Sequence, residues 1–159
     1  MKLSSELNSA LCVQISHEMS NSLKYMQLAS YFEDLQLVNI AAFFKEQSKH
    51  ENDHAFMFMD HINARTGGKV KIRNLGDIEI NLNSIDEIAD TYVKLEEETS
   101  ASIEAILNLA ISQKSYMDLP FLQKMLEEQV EEEDSANQFA TNIKNVKDLV
   151  LFDKEMEQD

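Results

Sequence analysis

Glu51 and His54 stand three positions apart in the segment Lys49-His50-Glu51-Asn52-Asp53-His54, midway along a stretch of helical periodicity. Three residues of α-helix turn through about 300°, so the two side chains lie within about 60° of each other on one face. A carboxylate and an imidazole placed this way form a pair of metal ligands. Other polar residues interrupt the remaining apolar stripes at mid-length: Glu18 in the first, Glu96 in the third, Gln129 and Glu132 in the fourth. No Lys or Arg shares those stripes. Buried carboxylates are costly unless paired or bound to a cation. Hard oxygen donors with one imidazole suit iron or manganese better than copper.

Each of these residues has an ordinary structural reading when taken alone. Glu96 opens the run Glu96-Glu97-Glu98, and Glu127 to Asp134 is mostly acidic, as solvated faces often are. A single His54 or Gln129 is compatible with a hydrogen-bonded core residue. The metal reading rests on all of them falling at one depth. His50-Glu51-Asn52-Asp53-His54 also spells the zinc-hydrolase pattern His-Glu-x-x-His, in which two histidines bind zinc and the glutamate is the base. Met57 and Asp60 occupy the positions where the extended form of that motif has glycine and a third histidine.

Long helices must carry these residues to one level. The chain has three glycines and one proline; the glycines all lie between 67 and 76. Apolar spacing predicts a first helix over about 5–35, a second over about 39–65, a third over about 84–113, a fourth over about 119–145 and a short fifth over about 147–155. Ser84 followed by Glu87 reads as a capping box, and Pro120 fits a first helical turn. Residues 66–83 include the alternating piece Ile78-Glu79-Ile80-Asn81-Leu82 and read as an extended connection. At about 3.3 Å per residue it could span roughly 60 Å, more than the roughly 40 Å of the second helix. The third helix can therefore start parallel to the second. Short, long and short connections describe an all-α four-helix bundle with one long crossover, here a single domain over 1–159.

Composition narrows the partners. A net charge of −15 disfavours nucleic acid and anionic membranes. No apolar run reaches the length of a membrane span, and the first residues lack the apolar core of a signal peptide. One cysteine, Cys12, cannot form an intrachain disulfide, which fits a reducing cytoplasm.

Glu18 with Tyr25 seven residues later, Glu51-x-x-His54, Glu96, and Gln129 with Glu132 resemble the ferroxidase centre of the ferritins. The resemblance covers about residues 5–155. It is strongest to the non-haem bacterial ferritins, whose fourth helix Phe121-Leu122-Gln123 and Glu128-Gln129-Val130-Glu131-Glu132-Glu133 is similar to. It implies a homo-oligomeric shell of 24 subunits that oxidises Fe(II) with O2 or H2O2 and stores ferric mineral. It also implies roles. Glu18, Glu51 and His54 would hold a first iron; Glu51 would bridge to a second that Glu96 binds, with Gln129 adjacent. Glu132 would reach the second iron or a third. Tyr25 would hydrogen-bond near the centre and donate an electron.

Bacterioferritins carry a second histidine where Glu132 stands and a haem-ligating methionine where Asn52 stands, so the resemblance implies no haem. Basic tails of the DNA-protecting mini-ferritins and the cysteine-rich module of rubrerythrins have no counterpart. Two positions depart from the family pattern. A third iron site of bacterial ferritins would use Glu128, Glu131 and Glu132, but its second-helix position is His50 rather than an acid. Leu119 and Leu122 occupy the positions of the acids that line the three-fold pores of animal ferritins. A non-storing helical bundle with a static metal site stands as the alternative of a different class, alongside the zinc hydrolase.

Overall fold

The computed structural model describes residues 1–156. Its helices are α1 (Ser5–Asp34), α2 (Val38–Ala64), α3 (Ile85–Ser112), α4 (Leu119–Asn145) and α5 (Leu149–Glu155), with a 3-10 turn at Tyr116–Asp118. These bounds follow the sequence periodicity to within two residues. No strand occurs among the described residues, and no helix there is long and apolar enough to cross a membrane.

Local chemistry sets the helix ends. Ser4 Oγ accepts from Leu7 N–H, and Ser84 Oγ accepts from Glu87 N–H at 3.2 Å, one half of a capping box, so each serine satisfies an orphan donor of its helix's first turn. Pro120 lies in the first turn of α4, where the helix needs no donor. The turns after α1 and α3 use one device. Gln36 (φ 60°) and Lys114 (φ 56°) adopt the left-handed conformation, and the next residue donates five positions back: Leu37 N–H to Phe32 O, Ser115 N–H to Ala110 O. This closes the orphan carbonyls and reverses the chain. After α2 the reversal is tighter. A Cβ on Gly68 would sit 1.9 Å from Ile62 O, and Gly67 has φ +80°.

The connection over 65–84 takes its hydrogen bonds from α1 side chains. Asn8 pairs with both backbone groups of Lys69, Ser16 Oγ with both of Arg73, and Gln27 Nε2 donates to Ile78 O at 2.9 Å. Both series of numbers rise together, so the connection runs alongside α1 in the same direction. It satisfies an extended backbone without a neighbouring strand. Ile80 and Leu82 turn inward onto the core. Between α1 and α3 the contacts run oppositely: Gln14 meets Ser102, Asn21 meets Thr99, and Tyr25 meets Glu96. Thus α3 is antiparallel to α1 and parallel to α2, as the crossover length predicts.

The result is a four-helix bundle with a long crossover and a short fifth helix. Its core has two parts. Tyr25, Phe32, Phe44, Tyr92 and Phe139 form an aromatic end, onto which Phe152 of α5 packs. Leu7, Leu11, Phe58, Ile62, Ile103, Leu122 and Met125 form the other end. Burying each such side chain contributes about 1.5–3 kcal/mol. Val150, which shares the apolar sequence of α5, is instead exposed. Asp153 of α5 accepts from Asn39 N–H (2.9 Å) and Ile40 N–H (2.8 Å), so α5 supplies the cap that the start of α2 lacks.

Candidate metal centre

Between the two apolar ends lies a polar level. Glu18 and Tyr25 come from α1, Glu51 and His54 from α2, Glu96 from α3 and Gln129 from α4, and all six side chains are buried. The stripes that bury their apolar neighbours at i, i+3, i+4 and i+7 carry these groups inward with them.

One ligand atom from each of Glu18, Glu51 and His54 can be chosen so that all three lie within 4.8 Å of one another. His54 Nδ1 is 3.9 Å from Glu18 Oε2 and 3.9 Å from Glu51 Oε2. Glu18 Oε2, both oxygens of Glu51, His54 Nδ1 and Gln129 Oε1 are buried with no hydrogen-bond partner among the described residues. Buried polar atoms are normally satisfied. Four bare ligand atoms on the three gathered side chains, with a fifth on Gln129 beside Glu96, fit a cation, and the mixture of oxygens with one imidazole nitrogen fits iron.

The remaining contacts orient this set. Tyr25 OH donates to Glu96 Oε1. Gln129 Nε2 donates to Glu96 Oε2 at 3.2 Å and to Ser100 Oγ at 3.2 Å, which turns its carbonyl oxygen free. His54 Nε2 lies 3.1 Å from Glu128 Oε2. A carboxylate there keeps the proton on Nε2 and leaves the Nδ1 lone pair directed at Glu18 and Glu51.

Electrostatics agree with an uncompensated site. Burial raises Glu18 well above the ordinary carboxyl range, and the adjacent Glu51 adds to the shift. Burial raises Glu51 to about 8; the adjacent Glu18 carboxyl opposes this in part, and the charges of Glu96 and Glu132 reinforce it. Glu96 is raised to about 7, again chiefly by burial, although the Tyr25 hydroxyl holds it down. Burial also lifts the Tyr25 phenol well above its usual value.

Other residues singled out from the sequence lie to one side. His50 is half exposed and its Nδ1 is 4.0 Å from Glu132 Oε1. His50, Glu128, Glu131 and Glu132 line a cleft of about 390 Å³ between α2 and α4, and His54 forms its inner wall. His50 and His54 therefore do not share the buried three-residue group, and among the described residues no sheet shapes a hydrolase cleft.

Sequence reading missed two sets. Gln14 Nε2 donates to Glu18 Oε1 at 2.8 Å. Its position four residues before Glu18 on the same face was the available signal. At the far end, Asp118 is fully buried with Arg65, His61 and Ser115 around it. That grouping joins distant segments and leaves no local pattern.

A model for the ferritin-like domain matches residues 8–146. The chain is 30% identical over 150 residues to a bacterial non-haem ferritin of Bacteroides fragilis, an alignment covering 94% of each chain. It is 30% identical over 158 residues to one from Staphylococcus aureus, covering 97% of this chain and 95% of the relative. An open-pore ferritin of the archaeon Archaeoglobus fulgidus superposes with a TM-score of 0.92 at 26% identity, over 99% of this chain and 98% of that one.

Proposed function

The chain belongs to the ferritin family, and from that premise we propose that it stores iron after oxidising it at the buried level between its four long helices. The observation that carries the reading is the set of bare atoms on Glu18, Glu51, His54 and Gln129, which nothing among the described residues satisfies. Ferrous iron is the substrate. Glu18, Glu51 and His54 take one ion; Glu51 and Glu96 take the second, with Gln129 beside it. Iron binding displaces the protons that burial holds on Glu51 and Glu96.

Two ferrous ions supply two electrons. Dioxygen accepts them with two protons to give hydrogen peroxide, or peroxide accepts them with two protons to give water. Pairing the ions avoids a one-electron reduction of oxygen. Where only one ferrous ion is bound, Tyr25 is placed to supply the second of the two electrons, with its phenolic proton passing to the Glu96 carboxylate it already donates to. The ferric product leaves for the acidic cleft of Glu128, Glu131 and Glu132, where His50 in place of an acid makes a third ion's hold weaker. Gln129, a neutral ligand, favours that departure. The names of the two bacterial relatives support a haem-free protein. The family supports a homo-oligomeric shell, which we take to have 24 subunits and to act in the cytoplasm.

The test is to add excess ferrous salt to the iron-free protein in air and resolve the mixture by size. Protein and ferric absorbance should elute together at cage size with many irons per chain. About two irons per chain, or protein at dimer size, would remove the storage role. No retained iron would overturn the oxidation as well.

A further inference from the structure

Glu18 uses its two oxygens differently. Oε1 accepts from Gln14 Nε2 at 2.8 Å, whereas Oε2 is buried and bare, 3.9 Å from His54 Nδ1. Gln14 is itself almost fully buried at 2% exposure. Its other polar atom is also occupied, because Ser102 Oγ of α3 donates to Gln14 Oε1 at 2.6 Å. Once an ion displaces its proton the Glu18 carboxylate only accepts, and the amide already presents nitrogen to Glu18 and oxygen to Ser102. Thr99 O lies 3.0 Å from the same hydroxyl and competes for its single proton, but Gln14 Oε1 is the nearer acceptor.

We infer that Gln14 is the positioning residue for Glu18, with Ser102 setting the orientation of the Gln14 amide. This rests on the proposed function above, since it assigns a role toward the ion that Glu18 binds. The terminal torsion of a glutamate is broad and nearly two-fold, so an unheld carboxylate swings freely between its two oxygens. The Gln14 bond ends that freedom. It takes Oε1 out of the site and presents Oε2 alone, making Glu18 a one-oxygen ligand. The chain Ser102–Gln14–Glu18 also joins α3 to α1, so the ligand's position is referred to two helices.

The consequence is selective. Only the ion that touches Glu18 feels Gln14; the ion on the Glu96 side does not. The experiment uses the assembled iron-free protein and titrates it with Zn2+, which binds without redox chemistry, following heat. Wild type should take up two ions per chain in two resolved steps. Gln14→Leu, close in volume and without a donor, should weaken one step about tenfold and leave the other unchanged. Ser102→Ala should weaken the same step by less. With Co2+ the visible absorption of the ion in that step should change intensity in Gln14→Leu, which a general loosening of the bundle would not produce at one site alone. Equal affinity at both steps with an unaltered cobalt spectrum, or equal weakening of both steps, would overturn the role. If Gln14→Leu does not assemble, Ser102→Ala carries the same two outcomes. Wild-type protein that takes up neither metal would instead overturn the iron-binding reading beneath it.

Discussion

Asp118 and Glu51 are both fully buried acids, and their surroundings are opposite. Asp118 Oδ1 accepts from Arg65 Nε at 2.7 Å and His61 Nε2 at 2.8 Å, and Oδ2 accepts from Ser115 Oγ at 2.5 Å. Burial pushes its pKa up, but the Arg65, Ser115 and His61 hydrogen bonds outweigh that and hold it below the ordinary range. Among the described residues both oxygens of Glu51 have no partner, and its neighbours Glu18 and Glu96 are acids as well. One cluster is closed by the chain's own residues and ties the end of α2 to the turn before α4. The other has no partners for its buried oxygens among the described residues, an arrangement that a cation would complete. A buried charge with its partners in place is architecture; a buried charge set without them points to a ligand.

The sharpest way to break that contrast is to open the closed cluster. Arg65→Met leaves Asp118 buried without its cation and should lower unfolding free energy by about 3–5 kcal/mol, read from urea titration. Ferrous oxidation per folded chain should be unchanged, because the open cluster lies elsewhere in the bundle. Adding Asp118→Asn should recover part of the loss. A loss under about 1 kcal/mol in the single variant would show that the Asp118 cluster is not a closed structural unit.

The converse change is Glu51→Gln, which keeps shape and removes charge. Initial oxidation of ferrous iron should fall by about a hundredfold or more, beyond the effect typical of groups that merely support a ligand. The iron-free variant should be no less stable than wild type at pH 8, since it no longer deprotonates a buried group. Destabilisation comparable to Arg65→Met would mean that Glu51 is held by partners after all.

The two clusters also differ in how far they could be read from sequence. Glu18, Glu51, His54, Glu96 and Gln129 each interrupt an apolar stripe, so helical period alone predicts that they face inward, and they do. The helix ends were legible for the same reason, because Ser84, Pro120 and the glycines after α2 act locally. Asp118 precedes α4 and resembles a surface turn residue; its burial depends on Arg65, which is 53 residues away in sequence. Asp153 capping α2 from α5 is equally non-local. Phe43, Phe121, Ile85 and Glu132 lie at stripe edges and are only partly buried, because period fixes a face but not its width. Gln14 was hidden by being polar beside a stripe already assigned to packing.

A third difference is the sign of the pH dependence. In the unfolded chain Glu51 and Glu96 lose their protons near 4.5, and in the folded protein near about 8 and about 7. Between those values the folded state holds more protons, so stability of the iron-free protein should fall as pH rises from about 5 to 8. Asp118, held low, contributes stability that is present above pH 4 and is lost only as acid protonates it. Melting temperatures of iron-free protein across pH 3 to 9 should therefore rise out of the acid range, pass a maximum, and decline toward pH 8. Saturating Zn2+ should abolish the decline on the alkaline side and leave the acid limb in place. A flat profile from pH 5 to 8 without metal would remove the electrostatic case for an open site.

The smallest effect lies where the two kinds of environment meet. Glu128 is one-third exposed, yet its carboxylate reaches His54 Nε2 at 3.1 Å, so one member of the open cluster is supported from the cleft between α2 and α4. Glu128→Leu removes the acceptor that keeps the proton on Nε2. His54 then has no group selecting the tautomer with a bare Nδ1, and its ring is free to turn. Affinity for the ion that His54 binds should drop about tenfold, while stability of the iron-free protein should move by less than about 0.5 kcal/mol, because the site is partly solvated. Glu128→Gln should restore most of the affinity, since the amide oxygen still accepts from Nε2–H and only the charge is lost. Leu and Gln variants that bind alike would assign Glu128 to the charge of the cleft rather than to the orientation of His54. The closed cluster offers the control: His61 is also held by a carboxylate at 2.8 Å, but it stacks at 4.2 Å on Phe121, and Asp118, the acid beside it, has both oxygens taken by Arg65 and Ser115. A histidine oriented by an acid is set up as a metal ligand only where its second nitrogen faces other bare ligand atoms, as His54 Nδ1 faces Glu18 and Glu51.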